Sequence, residues 1–179
     1  MVTYKEQRVG VFIDVQNMYY SAKNLYNAKV NFGNILETAV GNRKLIRAIA
    51  YVVKTKTGEE KVFFEALEKL GLETREKELM VYDGAKKADW DVGICIDSIA
   101  LAERLDVIVI VSGDGDFIPL VQYLKMNKGC RVESMAFRET TSTKLVETVD
   151  NFVDLSHDKR RYLISGRMMI SGRTKRTII

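Results

Sequence analysis

Residues 107–117 read VIVIVSGDGDF, an uninterrupted β-branched run followed by a short loop of glycines and aspartates. A strand that is apolar at every position is buried on both faces, which is typical of the centre of a parallel sheet. The flanking segments 89–105 and 117–126 have helical patterns. This stretch therefore predicts a helix, a central strand and a second helix, with acidic residues where the strand ends.

The same alternation of strand and helix extends towards both ends of the chain. Strands are predicted over 8–13, 45–53, 74–82, 130–137 and 152–155, and helices over 16–26, 31–40, 59–70 and 141–149. Such an alternation favours a three-layer α/β sandwich with a mainly parallel central sheet. At 179 residues the chain is long enough for one ordinary domain, and we expect that domain to span residues 1–157.

The net charge of +4 is concentrated near the C-terminus. From residue 158 onward there are seven basic residues and one acidic residue. Positions 1–157 therefore hold 21 basic and 23 acidic residues, a balance of −2. The domain itself is slightly acidic, and we expect residues 158–179 to form a flexible basic tail.

The composition argues against several classes of protein. No uncharged apolar run approaches the roughly 20 residues that cross a bilayer, and the first residues lack the apolar stretch of a secretory signal. We expect a cytoplasmic protein that does not contact the membrane. Cys95, Cys130 and the one histidine, His157, have no partners at metal-ligand spacing, which argues against a zinc site, a disulfide scaffold and a Cys-His nucleophile.

Aspartates follow two of the predicted strands. Asp14 closes the first strand, and Asp114 and Asp116 follow the strand over 107–111. Ligands of parallel α/β sheets bind outside the carboxyl ends of the strands, so these three carboxylates are expected on one edge. The alternative is structural, since aspartates also cap helices and close turns.

Asp97 lies on an otherwise apolar stripe of the predicted helix over 89–105, so we expect it to be at least partly buried. A buried carboxylate must be protonated, hydrogen-bonded, paired with a base or bound to a cation. Arg104, seven residues further on, could be a salt-bridge partner. Asp89 and Asp91 begin the same helix and could simply favour its dipole.

Four to six acids on one edge, without histidine or thiolate, favour a hard cation such as Mg²⁺ or Mn²⁺. A divalent ion held by carboxylates can activate water and offset charge on a phosphoryl oxygen, which favours phosphodiester hydrolysis. The chain has no GxxxxGK[ST] motif, and its GxG at 113–115 lacks the third glycine of a dinucleotide fingerprint. We therefore expect no nucleotide cofactor.

Four parts of the sequence resemble the NYN domain, in the LabA-like branch of the PIN-like nuclease superfamily. They are FIDVQN at 12–17, KADWDV at 87–92 with Asp97, SGDGDF at 112–117, and STKL at 142–145 with DNF at 150–152. The resemblance is collinear over roughly residues 8–156 and implies a PIN-like sheet with a metal-dependent ribonuclease site. It also implies roles for single residues: Asp14, Asp97, Asp114 and Asp116 as metal-site acids, and Asn17 beside the first of them. Asp91 is implied either as an acid that supports the metal ligands without binding the ion itself or as an additional acid.

Basic residues on the same predicted edge could hold RNA phosphates, although each taken alone is more typical of solvated surface charge. They are Lys54, Lys56, Lys86, Lys87 and Arg138. The leading hypothesis is an endoribonuclease that acts on single-stranded or structured RNA and leaves a 5′-phosphate. The alternatives are a catalytically weak or inactive RNA-binding or regulatory module of the same fold, and a DNA-directed nuclease. The sequence leaves the oligomeric state open, a homodimer included.

Overall fold

The computed structural model describes residues 4–54, 60–82, 85–87 and 89–164. These residues contain ten strands, numbered in chain order: β1 (Arg8–Asp14), β2 (Lys29–Val30), β3 (Lys44–Lys54), β4 (Glu73–Glu78), β5 (Met80–Tyr82), β6 (Ala85–Lys87), β7 (Val107–Val111), β8 (Arg131–Ala136), β9 (Asn151–Asp154) and β10 (Leu163–Ile164). Within the same described ranges, seven α-helices accompany them: α1 (Val15–Tyr26), α2 (Phe32–Val40), α3 (Lys61–Lys69), α4 (Asp91–Leu101), α5 (Ile118–Lys128), α6 (Thr143–Thr148) and α7 (Lys159–Tyr162).

A six-stranded parallel sheet forms the centre, in the order β4-β3-β1-β7-β8-β9. Its strands are covered on both faces because their side chains alternate between two hydrophobic clusters. One cluster joins Val9 and Val11 to α1, α2 and α3, and the other joins Phe12 and Ile110 to α4, α5 and α6. The predicted three-layer α/β sandwich with a mainly parallel sheet is confirmed.

The spatial order of the strands places β1 and β7 side by side in the middle of the sheet. All six strands run in one direction, so their carboxyl ends form one edge, which we call the carboxyl edge. The pairing of β1 with β3 ends at Asp14 opposite Tyr51, whereas β3 continues beside β4 as far as Lys54. The end of β3 therefore projects three residues beyond that of β1.

Two predicted elements differ from the structure by more than two residues at one end. The expected strand over 74–82 is broken, because β4 ends at Glu78 and β5 turns away to pair with β6 as an antiparallel ribbon. The expected helix over 89–105 begins two residues later and ends at Leu101, where a 3-10 turn over Ala102–Arg104 follows.

The boundary predicted at residue 157 needs correction. Residues beyond it form α7, and β10 then pairs with β2. Tyr162 is buried against α2, and its carbonyl accepts the backbone N–H of Asn31 at 2.8 Å. The folded body thus extends to Ile164, and the rest of the predicted tail lies outside the described residues. None of the described helices is long and apolar enough to span a membrane.

Candidate metal centre

Asp14, the last residue of β1, lies at the middle of the carboxyl edge. Its side chain is buried, and one carboxylate oxygen accepts the backbone N–H of Asn17 at 3.0 Å, which caps α1. The other oxygen accepts the hydroxyl of Ser112 at 3.3 Å. Burial raises the pKa of Asp14 to about 6, and the negative charges of Asp91 and Asp114 add to that rise, while the two hydrogen bonds oppose it.

The loop after β7 carries the next two acids. Asp114 accepts the backbone N–H of Asp116 at 2.9 Å and so caps the 3-10 turn over Gly115–Phe117 that leads into α5. Its own N–H donates to the hydroxyl oxygen of Ser112 at 3.2 Å. The alternative capping role of Asp114 is therefore present, and Asp14, for which the alternative was closing a turn, caps α1. The acids also converge, which capping does not require.

Asp91 brings a further carboxylate to this edge from another element, helix α4. It is the first residue of α4, and single carboxylate oxygens of Asp91, Asp114 and Asp116 all lie within 4.8 Å of one another. We call these three residues the acidic group. Burial and the charges of Asp114, Asp89 and Asp116 raise the pKa of Asp91, and Lys77 opposes that rise. The acids therefore repel one another in the absence of a cation.

Ser112 links the two strand ends and was not predicted as a site residue. It is fully buried, and its hydroxyl joins the carboxylate of Asp14 to the backbone of Asp114. Its carbonyl accepts the hydroxyl of Ser134 on the neighbouring strand β8 at 3.0 Å. A small polar residue directly after a buried strand was the available sequence signal.

Gly113, the first glycine of this loop, is required by close packing. A Cβ atom on Gly113 would lie 2.8 Å from Oγ1 of Thr141 and 3.1 Å from the carbonyl oxygen of Thr140. The side-chain oxygen of Asn17 accepts the backbone N–H of Gly113 at 3.2 Å. Asn17 thus lies beside Asp14, as the resemblance implies, and its observed contact holds the acidic loop in place.

Asp97 does not belong to the acidic group. It lies six residues beyond Asp91 on α4, about 9 Å along the helix axis. One of its oxygens accepts the hydroxyl of Tyr51 at 2.9 Å and lies 3.7 Å from Nε of Arg75. The predicted partial burial is confirmed, since the side chain is 29% exposed. Its observed partners come from β3 and β4, in place of the expected metal set or Arg104.

Of the predicted phosphate-binding residues, two lie at the carboxyl edge, and the side chains of the other three are not described. Lys54 ends β3 at the carboxyl edge and pairs with Glu76 at 3.3 Å. Arg138 follows β8 at the same edge, is exposed, and donates to the carbonyl oxygen of Thr141 at 3.4 Å. Lys56 lies outside the described residues, and Lys86 and Lys87 belong to β6, where only the backbone is described.

Comparison with known proteins identifies the family to which the chain belongs. The sequence model of the NYN domain matches residues 8–156. The chain belongs to the NYN domain family. It is 26% identical over 165 residues to the Low amplitude and bright protein LabA of Synechococcus elongatus, with 87% of each chain covered. The crystal structure of a protein of unknown function from Vibrio parahaemolyticus superposes with a TM-score of 0.82 at 29% identity, covering 92% of this chain and 100% of the other.

Membership in this family, which is a PIN-like nuclease family, confirms the resemblance noted in the sequence. NYN nucleases use divalent metals and NYN domains act on RNA. The donors present fit such an ion, because carboxylate oxygens are the ligands that Mg²⁺ and Mn²⁺ prefer. Among the described residues, the one group of three or more ligands close enough to share an ion consists of aspartates alone.

Proposed function

We propose that this protein is an endoribonuclease that hydrolyses RNA phosphodiester bonds with a Mg²⁺ or Mn²⁺ ion at the acidic group. The observation that carries the proposal is the convergence of Asp91, Asp114 and Asp116 at the carboxyl edge, with their oxygens within 4.8 Å. These acids come from two elements distant in sequence. Capping explains the position of Asp114 alone among the three, so a shared ligand is the better reason for their meeting.

Asp91, Asp114 and Asp116 would hold the ion, and Asp14 would extend the set from the end of β1. When bound, a divalent cation offsets charge on the phosphoryl oxygens and lowers the pKa of a water molecule. Without it, the carboxylates at this edge would repel an anionic backbone. The residues themselves therefore make binding of the scissile phosphate depend on the cation.

Ser112 and Asn17 would keep the carboxylates in place during the reaction. Each joins the strand end of β1 or the start of α1 to the loop after β7. Lys54 and Arg138 flank the edge and would contact neighbouring phosphates. Water would add to phosphorus, the bond to the 3′ oxygen would break and that oxygen would take a proton, which leaves a 5′-phosphate on the other product.

The test is incubation of the purified protein with end-labelled single-stranded RNA and with DNA of the same sequence, in Mn²⁺, Mg²⁺ or EDTA. We expect cleavage of RNA with either cation, none in EDTA, and products that a ligase requiring 5′-phosphate accepts. Asp114→Asn should abolish cleavage, whereas Glu147→Gln, which removes one charge from an exposed position on α6, should not.

Cleavage that persists in Asp114→Asn would contradict the proposal. RNA binding without cleavage in any cation would also contradict it, and would favour the alternative of a binding or regulatory module on the same fold. Faster cleavage of the DNA would move the assignment to a DNA-directed nuclease.

A further inference from the structure

We infer that Trp90 is a positioning residue that clamps the start of α4 to the end of β3 and thereby sets where the Asp91 carboxylate lies in the acidic group. The inference deepens the proposed function and rests on its assignment of that group. Its test includes a measurement without metal, so that the two can fail separately.

The indole of Trp90 is fixed to the sheet by its polar edge. Its Nε1–H donates to the carbonyl oxygen of Val52 at 2.9 Å. Val52 lies just beyond the last pairing of β3 with β1, which joins Tyr51 to Asp14. The ring also contacts Tyr51, with the two ring centres 5.3 Å apart. Trp90 is therefore bound to the strand end that adjoins Asp14.

The same residue begins α4. Its carbonyl oxygen accepts the backbone N–H of Ile94 at 2.8 Å, the first hydrogen bond of the helix, and its side chain makes no cap of its own. Lys77 of β4 donates to the carbonyl of Asp89 at 2.9 Å, and its ammonium lies 5.7 Å from the centre of the indole. The start of the helix is thus fixed through an aromatic anchor rather than a cap.

Gly93 provides the space for this anchor. A Cβ atom at position 93 would lie 2.5 Å from Cε3 of Trp90 and 2.9 Å from Cζ3. Glycine inside a helix is less favourable than alanine, so its presence here needs a packing reason. The contact with the indole supplies that reason, because the ring cannot retreat while its Nε1–H stays bonded to Val52.

Asp91 follows Trp90 directly, so it depends on this anchor more than the other acids do. Asp14 and Asp114 are each held by a backbone N–H that donates to the carboxylate. The place of Asp91 is set by where α4 begins. If the indole moves, α4 can shift or rotate and carry the Asp91 carboxylate away from Asp114 and Asp116.

The first arm of the test is a double-mutant cycle in EDTA at pH 8, with thermal unfolding as the readout. Asp91→Asn relieves repulsion and should raise Tm by about 2 °C in the wild-type background. In Gly93→Ala or Trp90→Phe backgrounds the same change should raise Tm by less than half as much, because Asp91 no longer lies against the other acids. Trp90→Phe removes the N–H but keeps a ring, and Gly93→Ala leaves Trp90 itself intact.

Val92→Ala is the matched control, since this side chain of the same turn is 69% exposed to solvent. It should leave the effect of Asp91→Asn unchanged. An equal effect of Asp91→Asn in all backgrounds would overturn the inference. No effect in the wild-type background would also overturn it, because Asp91 would then not be placed against its neighbours.

The second arm measures Mn²⁺ affinity by calorimetry. Trp90→Phe and Gly93→Ala should each weaken binding about 10–100-fold, as is usual when the support of a metal ligand is removed, and Val92→Ala should not. Unchanged affinity in both variants would count against the positioning role. If the wild type binds no Mn²⁺ while the cycle in EDTA shows the expected coupling, the proposed metal function fails and the positioning role stands.

Discussion

Asp91 and Asp97 lie on the same helix, are both half-buried, and have opposite surroundings. Asp97 receives a hydrogen bond from Tyr51 and lies beside the guanidinium of Arg75. Asp91 faces the carboxylates of Asp114 and Asp116, and its negative charge contributes to the raised pKa of the buried Asp14. In the described part of the chain, none of Asp14, Asp91, Asp114 and Asp116 forms a salt bridge. The partners of a carboxylate, rather than its burial, distinguish a structural acid from a candidate ligand.

The difference between Asp91 and Asp97 should have its largest effect on the rate of RNA cleavage. Asp91→Asn should lower the rate about 10³-fold, because the charge stabilisation that a divalent ion supplies is worth several kcal/mol. Asp97→Asn, the same change on the same helix, should lower it by less than about 10-fold. Initial rates with excess labelled RNA measure both, and a greater loss from Asp97→Asn would reverse the assignment of the two residues.

The next effect concerns the stability of the metal-free protein. Asp14 has a pKa of about 6 in the fold against an ordinary value of 3.8. Between these values the folded protein binds more protons than the unfolded chain, so the free energy of unfolding should fall as pH rises from about 4 to about 6. The total loss should be on the order of 3 kcal/mol, and it should persist at higher pH.

Asp14→Asn should remove this loss, because the amide retains an oxygen for the N–H of Asn17 and carries no charge. Urea unfolding in EDTA at pH 4 to 8 measures it, with Glu147→Gln as the control for loss of an exposed charge. A profile in Asp14→Asn that still falls over the same range would show that the loss comes from other groups.

A smaller effect tests the structural half of the contrast. Tyr51→Phe removes the hydroxyl that donates to Asp97 and keeps the ring against Trp90. We expect a loss of about 1–2 kcal/mol in the free energy of unfolding, with Mn²⁺ affinity unchanged. Tyr123→Phe, at an exposed position on α5, is the matched control and should cost nothing measurable. A large loss of Mn²⁺ affinity in Tyr51→Phe would join Asp97 to the metal site.

The smallest effect concerns the source of positive charge for RNA. Truncation after Ile164 removes Arg167, Arg173, Lys175 and Arg176 without disturbing α7 or the pairing of β10 with β2. We expect weaker RNA binding and a salt slope lower by up to roughly 3, since each phosphate contact contributes about 0.7. Binding isotherms at several salt concentrations measure this. Identical slopes would leave Lys54 and Arg138 as the described candidates for phosphate contact.

The centre of the fold was predictable because local pattern and burial agree there. The uninterrupted β-branched run over 107–111 is observed as β7 with the same bounds, and the acids that follow it lie at the carboxyl edge as expected. At the periphery, the pattern is weaker. The break after Glu78 and the return of β10 to β2 depend on partners distant in sequence, which periodicity does not reveal.

The sequence could not show which of Asp91 and Asp97 lies in the acidic group, for a related reason. Helix α4 is apolar on both sides, since Ile94 is buried while Val92 and Ile96 are exposed. A hydrophobic stripe therefore does not fix its rotation. The partners of Asp97 come from β3 and β4, and the anchor that places Asp91 is an indole bonded to a strand carbonyl. Residue types alone carry no signal for either contact.

Calorimetric titration of Mn²⁺ into the wild type, Asp91→Asn and Asp97→Asn tests the contrast most directly. We predict that one carboxylate-dependent site is present in the wild type, that Asp91→Asn abolishes it, and that Asp97→Asn retains an affinity within about 10-fold, because that residue is structural. Retention of binding in Asp91→Asn together with its loss in Asp97→Asn would contradict the assignment of the metal to Asp91, Asp114 and Asp116.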